Sequence, residues 1–118
     1  MPRTELQEIG QSGEDRALAY LQQQGLTLVE RNFLCKTGEL DLVMRDGEQL
    51  VFIEVRERNN PHFGGAAASI SPAKQRRILR AAKFYLLRFV KMPSCRIDVV
   101  AIDGERINWL RNAILDEM

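Results

Sequence analysis

Three runs of β-branched and aliphatic residues follow one another almost without a break: 27–34 (TLVERNFL), 38–46 (GELDLVMRD) and 49–57 (QLVFIEVRE). Gly38 and the pair Asp46-Gly47 are the punctuation between them, and both are turn signals. The runs predict three consecutive antiparallel strands. Every other segment of the chain has to cover or extend that meander.

The covering elements are legible from their ends. Ser12 followed by Asp15 resembles an N-terminal capping pattern and Gly25 is a natural stop, so a first helix is predicted over 13–24. Ser71-Pro72 supplies an N-cap and a first-turn proline for a second helix over 72–91, which Pro93 terminates. Residues 95–102 (CRIDVVAI) form a further strand, and Asp103-Gly104 turns the chain into a short final segment, 106–110. The order is helix, three strands, helix, strand, which fits an α/β sandwich with a mixed sheet. At 118 residues the chain fits a single domain, 1–118, with one ordinary core. Between the third strand and the second helix, Asn59 to Ile70 is too long for a tight connection and reads as a mobile loop. The one histidine, His62, lies there; a lone loop histidine is more often incidental than a substrate contact.

Composition narrows the setting. Glu5 and Glu8 stand where an export signal would be basic, and no apolar run approaches the roughly 20 residues that cross a bilayer, so a soluble cytoplasmic protein is expected. Cys35 and Cys95 lack metal-ligand spacing and sit in apolar stretches, which predicts core thiols and speaks against a structural zinc site. Net charge is only +1, but its distribution is uneven. Segment 58–97 carries nine Lys and Arg and no acid, whereas the residues before it carry six basic and eleven acidic side chains. One basic surface on an otherwise acidic chain is the footprint expected for a polyanion partner; a merely solvated helix face is the plainer alternative.

Two features concern carboxylates. On the first helix Ala17, Leu18 and Leu21 share one side, and Glu14 falls inside that apolar arc, where a buried acid needs a cation, a metal or hydrogen-bond donors; stabilisation of the helix start is the lesser explanation. In the meander, a Gly47-Glu48 loop puts Asp41 opposite Glu54. An Asp46-Gly47 turn instead puts Asp41 opposite Phe52, on the same sheet face as Glu54. Either register gathers two acids among Leu42, Val43, Phe52 and Ile53. Like charges at that distance repel unless a cation or a shared proton intervenes. Mg²⁺ or Mn²⁺ is one such cation, because these ions take one or two carboxylates plus water and phosphate; a solvated strand face is the alternative.

The pattern GELDL at 38–42, a hairpin, and FIEVRER at 52–58 resembles the YraN-like family of small bacterial proteins, itself similar to Holliday junction resolvases and other PD-(D/E)xK nucleases. Further stretches share the likeness: Gly13-Glu14 with Ala17 and Tyr20-Leu21, Glu30-Arg31-Asn32-Phe33, Phe63-Gly64, Lys74 with Arg76-Arg77, and Ile97-Asp98-Val99-Val100. The resemblance implies a restriction-endonuclease-like sandwich, a mixed central sheet flanked by helices. It further implies that Asp41 and Glu54 bind metal, that the Val55 carbonyl helps, and that Glu14 reaches in from the first helix. Position 56 departs from the pattern. The superfamily usually places a lysine there, and Arg56 can hold a phosphate but, with a pKa above about 12, cannot act as a general base.

The second helix is amphipathic. Ile78, Leu79, Ala82, Tyr85, Leu86, Phe89 and Val90 form one arc, and Arg76, Arg77, Arg80, Lys83, Arg88 and Lys91 the other. Lys74 and Gln75 at its start are placed to point back over the carboxylates, with a helix-end side chain bonded to backbone as the plainer reading of Gln75. Lys74, Gln75, Arg77, Arg80 and, at the end of the third strand, Arg58 are the expected contacts to nucleic acid, DNA above RNA. Phe84 and Leu87 interrupt the basic arc as a homodimer contact or a surface for nucleic acid; the dimer is preferred, since symmetric cleavage needs two copies. The leading expectation is a metal-dependent nuclease. Position 56 keeps alive a non-catalytic binding module, and Phe84 and Leu87 a protein-interaction domain.

Overall fold

The computed structural model describes residues 5–58 and 70–116, with 5–12 as helix backbone. His62, Phe63-Gly64 and nearly all of the predicted 59–70 loop lie outside the described residues. The elements are α1 (Glu5–Gln23), β1 (Thr27–Cys35), β2 (Gly38–Asp46), β3 (Gln49–Arg58), α2 (Pro72–Leu86), β4 (Cys95–Asp103) and β5 (Arg106–Leu110). The strands form one sheet in the order β1-β2-β3-β4-β5. All neighbours are antiparallel except β3 and β4, which run parallel across the α2 connection. This is the mixed-sheet α/β sandwich expected, with 106–110 added as a fifth strand.

Alternation along the strands sends side chains to two faces, and each face has its own core. Leu50 and Phe52 of β3 and Ile97 and Val99 of β4 pack with Ile78, Ala81, Ala82 and Tyr85 of α2. Val51 and Ile53 of β3 and Val100 and Ile102 of β4 pack with Ala17 and Leu21 of α1. Fully burying a side chain the size of Phe52, here 1% exposed, contributes roughly 1.5–3 kcal/mol. At the start of β4, buried Asp98 is held by Arg96 Nε, Trp109 Nε1 at 2.9 Å and the Asn112 N–H at 2.8 Å, which ties β5 and the segment after it to the sheet. The Ile97-Asp98-Val99-Val100 stretch thus owes its one acid to structure.

Four local expectations are corrected. The first helix begins by Glu5, so Ser12 is interior and not a cap; the helix-favouring run from Glu5 to Glu8 carries the backbone through it. Its other end is as read. Gly25 takes φ 100°, and the Leu26 N–H bonds back to the Leu21 carbonyl at 3.1 Å. The second helix stops at Leu86, short of 91, because the chain tightens into i to i+3 bonds from Leu87 to Phe89. Val90, placed on the apolar arc, is fully exposed, and Phe89 and Leu86 are only half-buried. The thiols are not core groups: Cys95 is exposed at the mouth of β4, and Cys35 is half-buried beside Thr37 and the Gly38 carbonyl.

A candidate metal and nucleic-acid site

The β2–β3 hairpin turns at Gly47, where φ is 61°, and pairs Asp46 with Gln49, Val43 with Phe52 and Leu42 with Ile53. That is the register of the Gly47-Glu48 loop, which sets Asp41 opposite Glu54. There the side chain takes over from the strand ladder, and Asp41 Oδ2 accepts the Val55 N–H at 2.8 Å. What Val55 presents to Asp41 is therefore its N–H.

Glu54 points to the α2 face, among the core, and is 3% exposed. Burial first, then the charge of Asp41, pushes its carboxyl up to about 8, against the opposing pull of Lys74 and Arg56. Burial also raises Asp41, although the Val55 N–H and the hydrogen bond shared with Glu54 work the other way. Both carboxyls are thus pushed toward the neutral form, and a hydrogen bond links them.

Two cations overhang the pair. Lys74, in the first turn of α2, brings Nζ to 3.6 Å from Glu54 Oε1, and Arg56 Nη1 lies 3.8 Å from the same oxygen. The α2 start is fixed by Ser71, whose hydroxyl accepts the Lys74 N–H at 3.1 Å, and by Pro72 in the first turn. A side chain at Gly38 would strike the Arg77 carbonyl, with a Cβ only 2.9 Å from that oxygen. Position 38 must be glycine for the hairpin to receive α2.

On the other side of Asp41, Glu14 and Glu39 approach it, and one carboxylate oxygen from each of the three falls within 4.8 Å of the others. Glu14 is raised by burial and by Asp41, and held down in part by Arg31, whose Nη2 lies 3.6 Å away. The Asn32 amide, its nitrogen turned to the carboxylate as its surroundings require, donates to Glu14 Oε1 at 3.2 Å and Oε2 at 3.0 Å. Asn32 itself sits at φ 53°, a left-handed conformation in mid-strand that asparagine tolerates better than most residues. Gly13, next to Glu14, lets α1 approach β3: a Cβ there would collide with the Glu57 carboxylate.

The fold brings Asp41, Glu54, Glu14, Arg56 and Lys74, all candidates from the sequence, into one place. Glu39 joins them without having been a candidate, although a residue two before Asp41 on one strand is a legible one for the same face. Gln75 turns away and donates to the Ile70 carbonyl at 3.3 Å, the helix-end role that competed with a phosphate contact. Arg77 lines a cleft with Lys74 and Glu39, whereas Arg80 lines a separate hollow with Arg76, Ala113 and Asp116. Arg58 is half-buried at the end of β3, where its carbonyl accepts the Gly104 N–H at 3.3 Å. Among the described residues no helix is long and apolar enough to cross a membrane.

Comparison with known proteins agrees with the likeness carried by the motifs. The model of the uncharacterised protein family UPF0102 matches residues 13–102. A UPF0102 protein of Herminiimonas arsenicoxydans is 59% identical over 113 residues, covering 96% of this chain and 91% of the relative. One of Janthinobacterium sp. (strain Marseille) is 60% identical over 113 residues, covering 96% and 92%. One of Cupriavidus metallidurans is 61% identical over 105 residues, covering 88% and 78%. The matched stretch runs from Gly13 beside Glu14 to Ile102 near the end of β4, so it contains every carboxylate and cation of the cluster, and the chain belongs to the UPF0102 family.

Proposed function

We propose that the chain is a metal-dependent nuclease-like protein that acts on nucleic acid, DNA in the first instance. The observation that carries this reading is the pairing of Asp41 with a buried Glu54 beneath Lys74 and Arg56. Two carboxyls forced together out of water, with Glu54 pushed up to about 8, are a costly arrangement for stability alone. A divalent cation removes that cost, and the donor set fits Mg²⁺ or Mn²⁺: hard carboxylate oxygens from Asp41, Glu14 and Glu39, which lie within 4.8 Å of one another, with Glu54 hydrogen-bonded to Asp41 beside them. When bound, such an ion polarises a phosphodiester and lowers the pKa of water.

The chain's own residues supply the remainder. Lys74 provides the compact ammonium that position 56 lacks, held beside Glu54 by the capped start of α2. Arg56 offers fixed positive charge to a phosphate. Arg77, farther along the cleft, grips the backbone without reading sequence. The test is a cleavage assay with Mg²⁺ and with Mn²⁺ on branched and linear substrates, using Asp41→Ala as the contamination control. Cleavage by native protein and none by the variant is the expected result. A second reading, a non-catalytic module that kept the fold and basic face, is favoured by Arg56; nucleic-acid binding without cleavage under either metal would establish it.

A further inference from the structure

We propose that Phe84 is a stacking platform for an unpaired base, on a nucleic-acid strand whose phosphates run along α2 from Lys74 and Arg77. The inference rests on the nucleic-acid reading above and adds the substrate form it favours. Phe84 is 53% exposed although it stands beside the core. Its ring packs on Phe33 of β1 at a centroid distance of 6.2 Å, tilted by 31°. Phe33 is in turn fixed edge-on by Tyr85 at 5.1 Å and covered by the Arg88 guanidinium at 5.4 Å. Phe84 is thus backed by an aromatic cluster while about half of its surface remains open to solvent. A core residue would be turned inward, and a disordered surface residue would not be so backed.

The surroundings select the occupant. Arg77 and Phe84 are two helical turns apart and share a side of α2, with Arg80 between them; Arg88, past the helix end, pairs with Glu30 of β1 at 3.7 Å. The sequence of α2 contains no acid. A cleft of about 200 Å³ lies between Leu34 and Glu39 on the strands and Lys74 and Arg77 on α2. Lys74 and Phe84 are separated by about 15 Å of helix, roughly four steps of a stacked strand at about 3.4 Å each. Cations that track a backbone beside an aromatic ring open to solvent are the arrangement that holds single strands. A second copy of the chain fits the same patch poorly. A twofold contact would set these arginines against their own kind, whereas a polyanion neutralises them.

The experiment measures binding of labelled oligothymidylate, and of an abasic oligomer of the same length, to the whole chain in EDTA, alongside sedimentation. Native protein is expected to favour the thymidylate roughly tenfold. Phe84→Ala is expected to bring thymidylate affinity down to the abasic level without changing affinity for the abasic strand, and Phe84→Trp to restore the preference. Equal affinity of native protein for the two oligomers overturns the platform while leaving the nucleic-acid reading intact; binding of neither overturns both. A drop in oligomeric state on Phe84→Ala, with oligomer binding unchanged, overturns the platform in favour of a dimer contact. Cleavage is not part of the readout, so failure of the nuclease chemistry does not affect it.

Discussion

Glu54 is the residue whose chemistry differs most from its ordinary behaviour, and the difference sets a pH dependence. Its carboxyl titrates near 4.5 when solvated and near 8 when folded. The folded state therefore holds a proton that the unfolded chain has released, and stability falls as pH rises between those values. Thermal denaturation in EDTA should show the melting temperature declining from pH 4.5 toward about 8 and levelling beyond. Glu54→Gln keeps the neutral form at every pH and should flatten that slope; millimolar Mg²⁺ should flatten it in the native protein by neutralising the pair. Arg56 is the complementary case. With Lys74 already supplying an ammonium at 3.6 Å from Glu54, Arg56→Lys should change a cleavage rate only modestly, on the order of tenfold or about 1.4 kcal/mol in the barrier. A gain of about 10² or more would show that position 56 requires a lysine able to transfer a proton.

At the scale of elements, the site depends on how α2 seats on the β2–β3 hairpin. Gly38→Ala brings a methyl against the Arg77 carbonyl and should destabilise the fold by about 1–3 kcal/mol, displacing the helix start that carries Lys74. Ser71→Ala, which removes the cap on the Lys74 N–H, should cost about 1 kcal/mol. Urea denaturation of both variants separates the two effects. The strands and both helices were legible because alternation, turn residues and proline position act locally, whereas the hairpin register stayed open between two turns until the pairing of Asp46 with Gln49 selected one. The tail of α2 was not, since Phe89 and Val90 continue the apolar period and only tertiary packing decides that they leave the helix. The start of α1 was misplaced for the opposite reason: Ser12 and Gly13 look like a boundary, yet that glycine is explained by contact with Glu57. The acids of β2 and β3 were found by register. Glu39 was legible in the same way, two residues before Asp41 on β2, and was overlooked, whereas the amide of Asn32 becomes visible only once its left-handed backbone at the edge strand is known.

For the whole molecule, charge segregation is the property with a measurable consequence. Binding to phosphates releases counterions, so affinity for nucleic acid should fall steeply with salt. Reversing Arg77 and Arg80 to glutamate should weaken binding to all sequences alike and lower the salt slope by about one for each phosphate no longer neutralised. Fluorescence anisotropy across a salt series reads both. Salt-independent binding would favour a protein partner instead. The parallel pairing of β3 with β4 has a different consequence, for the order of folding. The meander from β1 to β3 closes through tight turns, whereas β4 begins at Cys95 and pairs with a strand that ends at Arg58, 37 positions earlier, and pairings so distant in sequence are slow to form. The carboxylates belong to the early part and Lys74 to the late one. In refolding, the acids are expected to come together as a fast phase and to acquire their ammonium in a slow one, so Lys74→Met should alter the slow phase and leave the first unchanged.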